Sequence, residues 1–153
     1  MFEPRDPNFE DRVRASFAAQ SAMKSLQIQL LSLKPGGVSM QLNKSDNFLQ
    51  QQGFMHGGVL TAGLDSACGF AALTLSAPSV EVLSIEFKTS FFRPVTTDKV
   101  QVIGRVIKAG KKVSFCEAEA YSLKGEDQIL LAKMSSSVAM VDMPEGWVPE
   151  NRS

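Results

Sequence analysis

The chain has 153 residues, 16 basic and 16 acidic side chains and 44% hydrophobic residues, enough for one globular domain with a core of its own. Balanced charge speaks against a nucleic-acid-binding surface or a polybasic membrane anchor, and no apolar run is long enough to span a bilayer. The start, Met1 to Asp11, is acidic and polar rather than signal-like, so a cytoplasmic address is the default expectation.

From about residue 7 to 23, Phe9, Val13, Phe17 and Ala18 recur at helical spacing, with Asp6 or Asn8 available as a cap; an amphipathic first helix is predicted, its charged face (Glu10, Asp11, Arg14) solvated. Lys34-Pro35-Gly36-Gly37 punctuates two runs, 27–33 and 37–42, as a hairpin would. Residues 43–54 form a polar, irregular lead-in, where Gln50, Gln51 and Gln52 either simply face water or hydrogen-bond a substrate carbonyl.

Next comes the stretch around which the chain is organised. The single histidine, His56, is followed by Gly57-Gly58 and by Val59–Leu75, in which Asp65 is the one charge. The Ala and Leu content predicts a central helix buried on nearly every side. A carboxylate in such a place must be paired, hydrogen-bonded or shifted in pKa, and no cation lies at helical spacing from it. The bland alternative for Asp65 is a hydrogen bond to Thr61 or Ser66, or a pair across an interface.

A helix start leaves backbone N–H groups unbonded and carries partial positive charge. Gly57 and Gly58 leave those donors uncovered, so an oxyanion can be held there; the alternative is that the glycines serve only tight packing. His56 and Asp65 are nine positions apart, which places them on roughly opposite sides of the helix and about 13 Å apart along it. If both take part in chemistry, the simplest arrangement brings Asp65 from a second copy of the chain.

After the break at Ser76-Ala77-Pro78-Ser79, the run 80–92 alternates, with Leu83, Ile85, Phe87 and Phe91 on one face and Ser84, Glu86 and Lys88 on the other. Strands are predicted at 98–107, 112–122 and 128–141, and a tail without periodicity from 142 to 153. One helix with five or six mostly antiparallel strands, without repeats or linkers, is a single α+β domain over 1–153. Cys68 and Cys116 read as reduced and packed, with zinc or a structural disulfide not expected. Cys68 as a nucleophile lacks a base nearby.

His56-Gly57-Gly58 with Asp65, then Glu86-Phe87-Lys88 and Phe92-Arg93-Pro94, resembles the hotdog-fold acyl-CoA thioesterases of the phenylacetate-pathway (PaaI-like) type, over roughly 26–142. The resemblance implies a long central helix wrapped by an antiparallel sheet, a homodimer or dimer of dimers, and no metal or other cofactor, coenzyme A being part of the substrate. It implies that Asp65 attacks the thioester or activates water, that Gly57 N–H holds the carbonyl oxygen, and that Gln50 and His56 assist. By the same resemblance Ser84, Gly58, Glu86 and Arg93 are substrate-binding candidates, as are Lys108, Gly110, Lys111 and Lys112 for the phosphates of coenzyme A. Phe54, Met55, Phe70 and Phe92 are candidates for the acyl pocket. Each has an ordinary alternative: a hydrogen-bonding structural histidine, an outward strand serine, a solvated basic turn, core aromatics. Two rival functions remain, an acyl-CoA-binding hotdog protein that does not hydrolyse, and a hotdog dehydratase acting on hydroxyacyl thioesters.

Overall fold

The structure, a computed structural model, describes residues 2–124 and 127–144. In chain order these are helices α1 (Phe9–Ala19) and α2 (Ser21–Ser25), strands β1 (Ile28–Lys34) and β2 (Gly37–Asn43), the central helix α3 (Gly57–Leu73), and strands β3 (Val80–Phe91), β4 (Lys99–Lys108), β5 (Val113–Lys124) and β6 (Asp127–Asp142). The strands form one antiparallel sheet in the order β1-β2-β4-β5-β6-β3. It wraps α3, which packs on β2 through β6. This is the hotdog arrangement. The predicted tail beyond 144 and the middle of the 123–127 turn lie outside the described residues.

Small residues set the distance between helix and sheet. Gly63 and Ala67, one turn apart on α3, are both buried, and a Cβ built on Gly104 of β4 would lie 2.3 Å from the Ala67 carbonyl oxygen. Only a glycine admits that approach. Leu42, Val100, Val102, Met134 and Val138 close the core around Leu60 and Leu64. At the β1–β2 hairpin, Gly36 has φ +74° after Pro35, the positive φ that the third residue of a type II turn requires.

Three expectations are corrected. The first helix is two: the chain is extended at Gln20 (φ −80°, ψ 102°), where the Gln20 N–H closes α1 onto the Phe17 carbonyl. Second, α3 is not buried all round, since Thr61, Ala62, Asp65, Ser66 and Gly69 form a half-buried strip along its length. Third, β3 does not alternate evenly. A bulge between Ser84 and Glu86 interrupts its pairing with β6, and the extra residue, Ile85, shifts the phase. Directly paired residues share a face, so Ser84 (opposite Val138), Phe87 (opposite Ser136) and Phe91 (opposite Ala132) all lie on the helix side. Leu83, Glu86 and Lys88 lie outside. β3 is also an edge strand, and Leu83, Ile85, Phe87 and Phe91 on it are each 47–60% exposed.

Candidate active site

One row of α3, residues 57, 61, 65 and 69, runs along β3 at the i, i+4 spacing of a helical ridge. At its start a Cβ on Gly57 would touch the Phe91 ring at 3.3 Å, and near its end a Cβ on Gly69 would meet Val82 at 3.9 Å. Between them the Asp65 carboxylate accepts a hydrogen bond from Ser84 Oγ at 2.5 Å. The partner of Asp65 is therefore on the neighbouring strand, and neither Thr61 nor Ser66 supplies it. The bulge after Ser84 leaves this hydroxyl on the helix side, a direction that sequence alternation does not resolve.

The helix start is built by His56. Its backbone is extended (φ −61°, ψ 132°), and its Nδ1 accepts the Gly58 N–H at 2.9 Å, so the ring is a side-chain N-cap. Nδ1 must then be unprotonated, leaving Nε2–H as the outward donor. This corrects the expectation that both glycines leave their donors open: Gly58 N–H is taken. Gly57 N–H has no acceptor among the described residues. The two glycines have separate reasons, because a Cβ at 58 would lie 3.0 Å from the capping nitrogen and one at 57 would press on Phe91.

The expected site residues separate into two cavities at different points of α3. One, of ≈ 430 Å³, lies at the helix start and is lined by Gly57, Gln50, Phe54, Phe91, Phe92 and Arg93 among others. Here Gln50 is folded onto its own loop: its Oε1 accepts the Gln52 N–H and its Nε2 donates to Gln52 Oε1. Arg93 is exposed and donates from Nη1 to the Leu130 carbonyl at 2.9 Å, which fixes one end of the guanidinium. The other cavity, of ≈ 280 Å³, holds Asp65 and Ser84 with Ser16, Gln20, Phe70 and Glu81 among its walls. Burial pushes the Glu81 carboxyl above its usual range, against the opposing field of Arg12.

Not all candidates join either cavity. Glu86 faces outward and accepts from Ser137 Oγ at 3.2 Å. The basic turn lies past the far end of α3 from Arg93, with Gly110 and Lys111 beside Phe2, Arg5 and Ser76. Its Lys108, Lys111 and Lys112 are exposed, and the Gly110 N–H leans on Ser114 Oγ at 3.4 Å. The expected aromatic pocket is divided too: Phe54, Met55 and Phe92 line the Gly57 cavity, Phe70 the Asp65 cavity. Both cysteines are buried free thiols; burial raises both, Cys116 to about 12, so neither is a ready nucleophile.

The thioesterase superfamily pattern matches residues 52–129, which contain Gly57, Asp65, Ser84 and Arg93. The chain belongs to the thioesterase superfamily. A solved thioesterase family protein of Silicibacter pomeroyi is 31% identical, with TM-score 0.85 over 88% of this chain and 98% of that one. The PaaI protein of the Escherichia coli phenylacetic acid degradation operon shares the fold, with TM-score 0.80 over 89% of this chain and 95% of that one, at 17% identity. A Thermoplasma volcanium protein provisionally named an esterase is 29% identical over 80% of this chain and 88% of its own length. The hotdog thioesterase assignment made from His56-Gly57-Gly58, Asp65 and the motifs of the following strand therefore holds, with the PaaI protein sharing its fold, and with it a hydrolase acting on thioesters.

Sequence reasoning named Asp6 only as a helix cap and missed Arg12, Ser16, Gln20 and Glu81. Arg12 donates to Asp6 Oδ2 at 2.8 Å, to the carbonyls of Leu73, Ser76 and Val80 at 3.0–3.2 Å, and to Ser76 Oγ at 2.8 Å. It bolts α1 to the last turn of α3 and the first residue of β3. The one available signal was the i, i+4, i+8 spacing of Arg12, Ser16 and Gln20 beside the apolar row Phe9, Val13, Phe17.

Proposed function

We propose that this thioesterase hydrolyses acyl-CoA at a site shared by two copies of the chain, Asp65 from one and Gly57 N–H from the other. The carrying observation is that the carboxylate and the open amide sit on one helix eight residues apart, about 12 Å by helical rise. Hydrogen-bond reach to a single thioester is far shorter. The free edge of β3 with its exposed apolar side chains is the kind of edge that proteins cover by pairing. A second β3 laid antiparallel on it brings opposite ends of the two central helices towards each other.

In such a site the carbonyl oxygen faces Gly57 N–H and the carbonyl carbon faces Asp65. Water attacks the carbon while Asp65 takes its proton. The oxyanion is held by the amide, and collapse breaks the C–S bond, the departing thiolate recovering the proton to give free acid and coenzyme A. Direct attack by Asp65 uses the same atoms, passing through a mixed anhydride that water then opens. Ser84 orients the carboxylate, His56 caps the helix start by accepting the neighbouring Gly58 N–H, and Arg93 offers charge to the coenzyme A arm. The test is thiol release from acyl-CoA by wild type and Asp65→Asn. The mutant should lose at least about a hundredfold in kcat with folding intact. Undiminished turnover would reject Asp65, and binding without thiol release by the wild type would favour a non-hydrolysing binder.

A further inference from the structure

The Asp65 cavity has a wall that thioester hydrolysis does not need. Ser16 of α1 and Gln20, the residue at which that helix closes, line it together with Phe70, Leu73, Val82 and Glu81. Ser16 lies one turn beyond Arg12 on the same helical face and Gln20 follows where the helix closes, and the Arg12 bonds to Asp6, Ser76, Leu73 and Val80 hold this part of the chain against α3 and β3. Phe17 adds a ring contact to Phe70 at 5.4 Å between centroids. This wall is therefore placed by polar bonds and packing on both sides.

Charge decides what enters. Among the described residues no Lys or Arg lines this cavity, and two carboxylates, Asp65 and Glu81, do; the cavity at Gly57 has Arg93 and, among the described residues, no acid. A phosphate-bearing arm is repelled by the first and attracted by the second. The acyl group is left for the Asp65 side, where it meets a half-polar surface. Ser16 and Gln20 each offer a donor and an acceptor, and the carboxylates disfavour an anionic acyl end.

Resting on the reading of Asp65 as the reacting carboxylate, we propose that Ser16 and Gln20 are specificity residues. They select acyl groups that carry a neutral hydrogen-bonding substituent, such as a hydroxyl, away from the carbonyl. Arg12 is the positioning residue that holds them there. In the free chain Gln20 is exposed and Ser16 half-buried, so the discrimination comes from the bound acyl group excluding water from both, which leaves the protein's polar atoms unpaired when the substrate lacks the hydroxyl.

The experiment compares matched pairs differing by one terminal hydroxyl, hexanoyl-CoA with 6-hydroxyhexanoyl-CoA and octanoyl-CoA with 8-hydroxyoctanoyl-CoA, by kcat/KM for thiol release. At the better-fitting length wild type should favour the hydroxylated member about tenfold or more. In Ser16→Ala/Gln20→Leu the ratio should fall to about one, and Arg12→Ala should lower it similarly, with Arg12→Lys restoring part. The ratio is internal, so a lower folded fraction does not move it. Equal use of both members by wild type, or a preference that survives the double substitution, overturns the inference. Should wild type cleave neither member, the hydrolysis reading fails on its own. Calorimetric titration of the same pairs then gives the ratio in Kd, and equal affinity, or none for either member, overturns the inference as well.

Discussion

Removing a single hydrogen atom isolates the role given to the helix start. Gly57 is the first residue of α3, the position where proline is tolerated because its missing N–H has no helical partner. His56 before it has φ −61° and ψ 132°, a conformation that a following proline permits. Gly57→Pro thus deletes the proposed oxyanion donor and leaves the helix its start. The ring adds a Cβ 3.3 Å from the Phe91 ring, and Gly57→Ala, which keeps its N–H, adds the same contact and serves as control. Loss of one such donor costs about 10²–10³ in kcat, about 2.7–4 kcal/mol of transition-state stabilisation. In thiol-release assays Gly57→Pro should therefore fall that far below Gly57→Ala, with similar thermal melts for both. Proline and alanine variants agreeing within about threefold would refute the reasoning.

Other expectations concern the scaffold. Gly104→Ala places a Cβ 2.3 Å from Ala67 O and should cost about 3 kcal/mol in denaturant unfolding, the upper range for overpacking; an unchanged midpoint would mean that the helix can lift freely. His56→Ala should lose about 1 kcal/mol as the cap disappears while His56→Asn retains most of it, read from the same melts. The cysteines predict alkaline behaviour: burial lifts Cys116 from the usual 9.0 to about 12 and raises Cys68 also. Above about pH 9 the unfolded chain releases thiol protons that the folded chain keeps, so stability falls as pH rises towards 12. Thiol reagents should label neither cysteine in the folded protein at pH 8, and rapid labelling would contradict their burial.

What was legible in the sequence came from patterns that local physics enforces. Alanines and leucines around one acid marked α3, and Lys34-Pro35-Gly36-Gly37 marked the hairpin because a two-residue turn demands those residues. Less accessible were facts that depend on register. A single extra residue, Ile85, reversed the faces of β3, and nothing in a run of alternating residues announces a bulge. The Gly57–Gly58 pair was visible, but not that His56 would consume one amide and leave the other open. Arg12 went unremarked beside the solvated charges Glu10, Asp11 and Arg14, since its acceptors, carbonyls at residues 73, 76 and 80, lie more than sixty positions away. The division of the expected aromatic and basic residues between two cavities likewise appears only in three dimensions.

A mixed dimer tests the shared site most directly. Asp65→Asn and Gly57→Pro chains, co-expressed with different tags and purified as the heterodimer, hold one site with both defects and one with neither. The account predicts about half the wild-type rate per dimer, although each parent homodimer is nearly inactive. A heterodimer as inactive as its parents, or a chain that remains monomeric while hydrolysing acyl-CoA, would contradict it.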